Sequence, residues 1–331
     1  MLFEPIDGEL IRKCAMQTSG SAGPSGTDSD IWKRIICSRQ FSPQNDELCS
    51  SISRLAKKLC TEEIDHEDIM PLMNCRMVAL DKKPSSGVRP IGVGEILRRI
   101  IGKAVNAHIK NRIMKSVGSL QTCAGQSGGT EAAVHAMNDI FHKDECEVVL
   151  LVDANNAFNA MNRKAAIENV KILCPEFHQF LTNTYRKPCD LILANTGGRR
   201  IRSQEGCTQG DNVAMPFYAC NTVPMIDSLA QTPASQVWFA DDSAGAGKVE
   251  EVLEWWSHLN RIGPSLGYVP NPQKSWIIAK NEEAAAKART LFAGTNINVT
   301  LDGKRHLGAS LGTDAFRTEY DASQKSHEKN D

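Results

Sequence analysis

Trp238-Phe239-Ala240-Asp241-Asp242-Ser243-Ala244-Gly245 is the stretch that decides the fold. Apolar residues run into two adjacent aspartates and small residues run out, which predicts a tight β-hairpin with two carboxylates at its tip. Ala244, Gly245, Ala246 and Gly247 make the second strand so small that another backbone, or a nucleic acid, has room to lie against it. Two adjacent carboxylates repel and stay charged only in water or around a cation. The dipeptide alone therefore allows two readings, a solvated turn or a cation site. A second stretch chooses between them. Val148-Val149-Leu150-Leu151-Val152 reads as a buried strand that delivers Asp153 at its end, followed by Ala154-Asn155-Asn156-Ala157-Phe158. A strand ending in one aspartate, beside a hairpin carrying two more, gathers hard oxygen donors of the kind divalent cations take, and favours the cation site.

The 331 residues are enough to bury a real core over two or three subdomains. With 41% hydrophobic and 23% charged residues and a net charge of −1, the composition is ordinary for a globular chain. It excludes a generally basic coat but not local basic patches. The 11 cysteines are odd in number and never spaced C-x-x-C, which argues against a disulfide framework or a zinc site. It points to a reducing intracellular compartment, with cytoplasm and nucleus not distinguished. The eight histidines form no H-E-x-x-H. No apolar run reaches the roughly 20 residues of a membrane span, and the N-terminus has no signal-peptide pattern, so no membrane is expected as a partner.

Along the chain, residues 1–30 read as a flexible N-terminal segment with a turn-rich loop at 20–26. Ser42-Pro43 starts a helix with Leu48, Ile52, Leu55 and Leu59 on one face. Residues 75–80 read as a strand, 84–87 as its turn and 88–93 as the returning strand, with Pro90 and Gly92 marking an edge. A helix over 95–117 carries Arg98, Arg99, Lys103, Lys110, Arg112 and Lys115 and no acid after Glu95. It is either a solvated face or a contact for a phosphate backbone. Thr130 caps a helix through His142. The stretch 163–185 is helical with a break at Pro175, and Arg199, Arg200 and Arg202 form a second basic spot. The turn 208–211 opens a helix through 229. Residues 248–266 are amphipathic, with Val249, Val252, Leu253, Trp256 and Leu259 inward. Asp302-Gly303 signals a hairpin between 296–301 and 304–309, and residues from about 313 read as a disordered tail.

Taken in order, these pieces resemble a reverse transcriptase of the retroelement kind. Gly23-Pro24-Ser25-Gly26 resembles the Gly-Pro-Asp-Gly loop of non-LTR retrotransposon and group II intron enzymes. Gly87-Val88-Arg89-Pro90-Ile91 resembles the fingers strand, and the run from Gly125-Gln126 to Thr130-Glu131 the next fingers motif. Asp153-Ala154-Asn155-Asn156-Ala157-Phe158, Gln209-Gly210-Asp211 and Phe239-Ala240-Asp241-Asp242 resemble the three palm motifs in sequence order. Asn271-Pro272-Gln273-Lys274-Ser275 resembles the fourth, and His306-Leu307-Gly308 the primer-grip hairpin. The likeness covers residues 20–312. Asn212 stands where proline is common, Ala214-Met215-Pro216 replaces Ser-Pro, and Phe239 replaces a tyrosine, but no metal ligand is lost.

The resemblance implies an α+β fold, a right-hand polymerase with fingers at 31–145 and a palm at 146–312. The palm is expected to be an antiparallel sheet backed by helices, with 313–331 a disordered tail. In a departure from the family's pattern, no helical thumb is expected after residue 312 of this sequence. It implies an RNA-directed DNA polymerase that moves a nucleotide from a dNTP to a DNA or RNA primer 3′-hydroxyl on an RNA template. Two Mg²⁺ ions, or Mn²⁺ in their place, are the implied cofactors, with Asp153 and Asp241 bridging and Asp242 on the primer side or behind it. Phe158 stands where the family places a ring under the sugar that excludes a 2′-hydroxyl; its other reading is ordinary core. Gln209 and Gly210 would cradle the nucleotide or template base. The backbone at Ala154 and Asn155 would donate N–H bonds to the triphosphate.

Arg89 reads as a bidentate triphosphate clamp, assisted by Lys82 or Lys83, or all three are exposed hairpin charges. Lys274 reads as a general acid for pyrophosphate or as a surface lysine. Two other functions stay open: an RNA-dependent RNA polymerase, opposed by Phe158, and a decayed or domesticated copy that only binds nucleic acid. No protein partner is legible.

Overall fold

A computed structural model describes residues 2–38, 42–81, 87–194 and 196–327. The first elements are α1 (Gly8–Met16), α2 (Ser29–Cys37), α3 (Ser42–Thr61), α4 (His66–Met73), β1 (Cys75–Asp81), β2 (Val88–Gly94) and α5 (Ile96–Val117). There follow α6 (Gly129–Phe141), β3 (Val148–Val152), α7 (Ala157–Ala160), α8 (Arg163–Leu173), α9 (Pro175–Tyr185), β4 (Cys189–Leu193) and β5 (Arg200–Ser203). The rest are α10 (Ala214–Leu229), β6 (Ser235–Phe239), β7 (Asp242–Gly247), α11 (Val249–Ile262), β8 (Trp276–Ala279), α12 (Glu282–Leu291), β9 (Asn298–Thr300), β10 (Gly303–His306), β11 (Ala309–Gly312) and α13 (Asp314–His327). The fold class is α+β. Two compact units divide the chain, and neither is one run of sequence: Met1–Ser116 with Met161–Asn221, and Val117–Ala160 with Thr222–Asp331. No unit boundary falls at the expected 145/146 division.

The first unit holds a four-stranded sheet in the order β2-β1-β4-β5. β2 is its edge strand, as Pro90 requires, because proline has no N–H to give a second neighbour. β1 and β2 are antiparallel, with Leu80 opposite Arg89 and Met77 opposite Gly92. On α3 the inward face is Asn45, Cys49, Ile52, Ser53, Ala56, Leu59 and Cys60. The expected Leu48 and Leu55 are only half-buried. The face is set by small residues that let α1 and α9 approach closely, so counting large apolar side chains missed it.

The second unit is built on a five-stranded sheet in the order β6-β7-β3-β8-β9. β3 is central and buried along its whole length, as its uninterrupted Val/Leu run predicts. β7 and β8 flank it antiparallel, but β9 joins β8 in parallel, so the sheet is mixed rather than wholly antiparallel. One face is closed by Ala133, Met137 and Phe141 of α6 over Val149, Leu151, Val237, Ala244 and Ala246. α11 and α12 pack on the sheet from their own side. The small residues of β7 leave room for protein rather than nucleic acid: a Cβ on Gly245 would stand 2.8 Å from Cε3 of Trp255. Trp255 and Trp238 both donate their indole N–H to Oε1 of Gln236, at 3.1 and 2.9 Å. The buried aromatic wedge is therefore satisfied.

Four local expectations are corrected. Residues 1–30, expected to be a flexible segment, form α1 and the start of α2, with Ile6, Ile11, Cys14 and Ala15 buried. The cap of α6 is Gly128, in a left-handed conformation, not Thr130. The hairpin expected at Asp302-Gly303 forms instead between β10 and β11 about Leu307 and Gly308, both with positive φ. β9 is drawn to the sheet edge, and that leaves Gly303 to begin a new strand. Residues expected to be disordered form α13 over Asp314–His327, with Phe316 and Tyr320 stacked at 6.4 Å. Among the described residues no helix is long and apolar enough to cross a membrane. The 11 cysteines are not joined in disulfides, and burial pushes the thiols of Cys60, Cys75 and Cys123 up to about 12.

Candidate active site

β3 ends at Asp153 because its neighbour changes there. The Asp153 N–H donates to Ser275 Oγ at 3.3 Å, and its carbonyl accepts the Asn271 N–H at 2.7 Å. Ala154 forms an isolated antiparallel bridge with Pro270, and the Asn155 N–H donates to the Val269 carbonyl at 2.8 Å. Asn271 Nδ2 closes the strap on Asn155 Oδ1 at 2.8 Å. The Asn155 amide is thus already used inside the protein, which corrects its expected role as a phosphate donor.

Across the sheet, Val152 is opposite Ser243 and Phe239 opposite Asp242. That register carries Asp153 to the end of the sheet at which the β6–β7 turn carries Asp241 and Asp242. The turn is Ala240-Asp241, with Ala240 at φ 55°. A non-glycine residue there costs roughly 1–2 kcal/mol, and it is held by a buried partner. Gln121 accepts the Ala240 N–H at 2.8 Å and donates Nε2 to the Ala240 carbonyl at 3.1 Å. Neither Gln121 nor Tyr268, whose hydroxyl donates to the Asp241 carbonyl at 2.9 Å, is marked by any sequence motif. Each is a single polar residue in an unremarkable neighbourhood. Strain clamped by dedicated partners is typical of working sites.

The electrostatics bring the three carboxylates together. The Asp242 carboxyl is raised to about 6, first by partial burial and then by the charges of Asp241 and Asp153. The residue nevertheless keeps solvent contact. Lys274, at the end of a 3₁₀ turn (Pro272–Lys274), sets Nζ 3.7 Å from Asp153 Oδ1, with both side chains substantially exposed. Such a pair contributes about 0–1 kcal/mol. Among the described residues no group of three or more His, Cys, Asp or Glu side chains is arranged to hold a metal ion by itself. The carboxylates still fit Mg²⁺ in kind. That ion takes one or two carboxylates and completes its shell with water and phosphate oxygens. A cation would also relieve the repulsion that Asp242 registers. Phe158, on the short α7, is half-buried and is not part of the closed core.

The remaining candidates belong to the first unit. Arg89 is exposed on β2, and Lys82 and Lys83 lie outside the described residues. The turn 208–211 packs on the same strand. A Cβ on Gly92 would meet Thr208 Cγ2 at 2.3 Å, and one on Gly210 (φ 100°) would meet the Gly92 carbonyl at 3.3 Å. β2 and the Gln209-Gly210 turn thus require glycine on both sides of their contact.

The basic helix is corrected in part. Arg98 is buried against Asp211, Nη2 to Oδ2 at 2.5 Å, and Arg99 donates to the Ser19 and Ser21 carbonyls. Lys103 donates to the Gln17 carbonyl. Only Lys110, Arg112 and Lys115 of the six are exposed, so half of the apparent patch is internal. On β5, Arg200 pairs with Asp190 at 3.1 Å, while Arg199 and Arg202 remain exposed. No protein-family model matches this chain, and no curated protein matches it.

Proposed function

We propose that the chain is an RNA-directed DNA polymerase domain with a right-hand fingers and palm arrangement. It would extend a DNA or RNA primer on an RNA template from dNTPs. The observation that carries the reading is the Asp242 carboxyl, which feels the charges of both Asp241 and Asp153 at one end of a sheet. Three acids that repel one another in the resting protein are a preformed demand for divalent cations.

Asp153 and Asp241 are the residues that would hold Mg²⁺, or Mn²⁺ in its place, with Asp242 beside them. When bound, two such ions supply charge stabilisation for the attacking and departing oxygens of an in-line displacement. The protein's own part is positioning. Tyr268 and Gln121 fix the turn that carries Asp241, and Ser275 and Asn271 fix the strand end that carries Asp153. Lys274, whose Nζ lies 3.7 Å from Asp153 Oδ1, would donate a proton to the departing pyrophosphate. Phe158 would pack beneath the sugar and refuse a 2′-hydroxyl. Arg89 would grip triphosphate oxygens, with Gln209 and Gly210 against the base pair.

Primer extension by the full chain on an RNA template tests this, with Mg²⁺ and separate arms of deoxy- and ribonucleotides. Extension with deoxynucleotides is expected. Equal use of ribonucleotides would make the chain an RNA-dependent RNA polymerase. Primer–template binding with no extension in either arm would make it a nucleic-acid-binding protein only.

A further inference from the structure

Three residues from distant segments meet under the turn 208–211. Arg98 of α5, Tyr185 at the end of α9 and Asp211 of the turn are each almost completely buried. Asp211 Oδ2 accepts from Arg98 Nη2 at 2.5 Å and from the Tyr185 hydroxyl at 2.6 Å. The same hydroxyl accepts the Thr208 N–H at 3.4 Å, and Asp211 Oδ1 accepts the Val213 N–H at 3.3 Å. Arg98 also donates to the Met73 carbonyl at 3.0 Å. Two guanidiniums lie over the Tyr185 ring, Arg98 at 5.3 Å and Arg163 at 5.4 Å from its centroid. Arg163 in turn donates to the Gly206 carbonyl at 2.6 Å and to Ser203 Oγ at 2.7 Å.

The segment 203–211 is therefore tied at both ends. Arg163 holds it before the turn, and Tyr185 with Asp211 holds it after, while Gln209 between them keeps solvent contact. The outer side of the turn is pressed on β2 through Gly92 and Gly210. A buried ion pair of this kind is a poor way to add stability, since apolar packing of equal volume does as well or better. What it does supply is a single geometry, because Asp211 Oδ2 is fixed by two donors and the Tyr185 hydroxyl both donates and accepts.

We infer that Tyr185 and Asp211, braced by Arg98, are positioning residues that pre-set the Gln209-Gly210 turn against β2 for an incoming nucleotide. The inference rests on the nucleotide-binding reading of that turn given above. Tyr185 acts through the turn and touches no substrate. Its hydroxyl is the separable part, because phenylalanine keeps the ring that both guanidiniums contact.

The test is Tyr185→Phe in the full chain, read in two ways. In single-nucleotide insertion, KM for the dNTP is expected to rise about 5–10-fold with kcat within about twofold, the scale of one typical intramolecular hydrogen bond. Amide exchange over 207–211 is expected to accelerate with exchange in β1 unchanged. Unchanged exchange in the turn overturns the inference, as does a lower melting temperature with KM unmoved. A wild-type chain that inserts no nucleotide overturns the polymerase reading instead. In that case the exchange measurement still decides whether Tyr185 sets the turn.

Discussion

The hydroxyl of Tyr268 donates to the main-chain carbonyl of Asp241 at 2.9 Å and also bonds Ser243 Oγ at 3.0 Å. Burial holds the phenol protonated, so it remains a donor across the working pH range. Its ring stands edge-on to Trp238 at 5.3 Å. One side chain thus ties the acidic turn to the aromatic wedge beneath it. Tyr268→Phe leaves the Asp241 carbonyl and Ser243 Oγ without this partner and is expected to destabilise by about 1–3 kcal/mol. The urea midpoint measures it, and an unshifted midpoint would show that the turn is held without Tyr268.

Asp153→Asn and Asp241→Asn separate chemistry from folding. Each keeps the side-chain volume and removes one of three mutually repelling charges, so the melting temperature of the metal-free protein should hold or rise. Extension should fall more than the roughly 10–100-fold that follows loss of an outer partner of a metal ligand. A variant that melts early and still extends primers would dismiss these residues as ligands.

Asp242 sets a pH dependence. Its carboxyl binds a proton more tightly folded than unfolded. In the metal-free protein its contribution to stability is therefore greatest in acid. It declines as pH rises from the ordinary carboxylate range to about 6, and is level above that. Cation binding runs the other way, since the proton must leave, and Mg²⁺-induced thermal stabilisation should fade as pH drops through about 6. Asp242→Asn should raise the metal-free melting temperature at about pH 8 and flatten both profiles. Parallel profiles for wild type and variant would assign the titration elsewhere.

Phe158→Ala should relax sugar discrimination. The ring is half-buried on α7, and its removal leaves a gap rather than a collapsed core. Ribonucleotide use relative to deoxynucleotide is expected to rise roughly 10–200-fold, the scale on which pocket shape discriminates. Competition between the two nucleotide types in one reaction reads it out. An unchanged ratio would return Phe158 to the role of packing.

The parts legible in the sequence are those fixed by local pattern. Val148-Val149-Leu150-Leu151-Val152 reads as the buried strand it forms, and the switch from apolar to small residues around Asp241 reads as the hairpin of β6 and β7. The illegible parts depend on partners far along the chain. Arg98 reads as surface charge until Asp211 is placed beside it. The Asn155 amide looks available until the strand end is laid against Val269. Asp302-Gly303 carries a strong turn signal, but β9 pairs with β8 and the turn moves to Leu307-Gly308. Gln121 and Tyr268 had no signal, because a lone buried polar residue is defined only by what it holds.

The central position of β3 has a consequence for biosynthesis. Its neighbours β7 and β8 lie far downstream in the chain. At about 5–20 residues per second, the apolar strand emerges on the order of ten seconds before either exists to pair with it. During that interval both hydrogen-bonding edges of a Val/Leu strand are open to other nascent chains. A chain ending after Leu229 lacks β6, β7 and β8 and keeps β3 unpaired permanently. It is expected to precipitate where the full chain stays in solution, and the soluble fraction of the two on parallel expression measures how far the strand depends on its late partners.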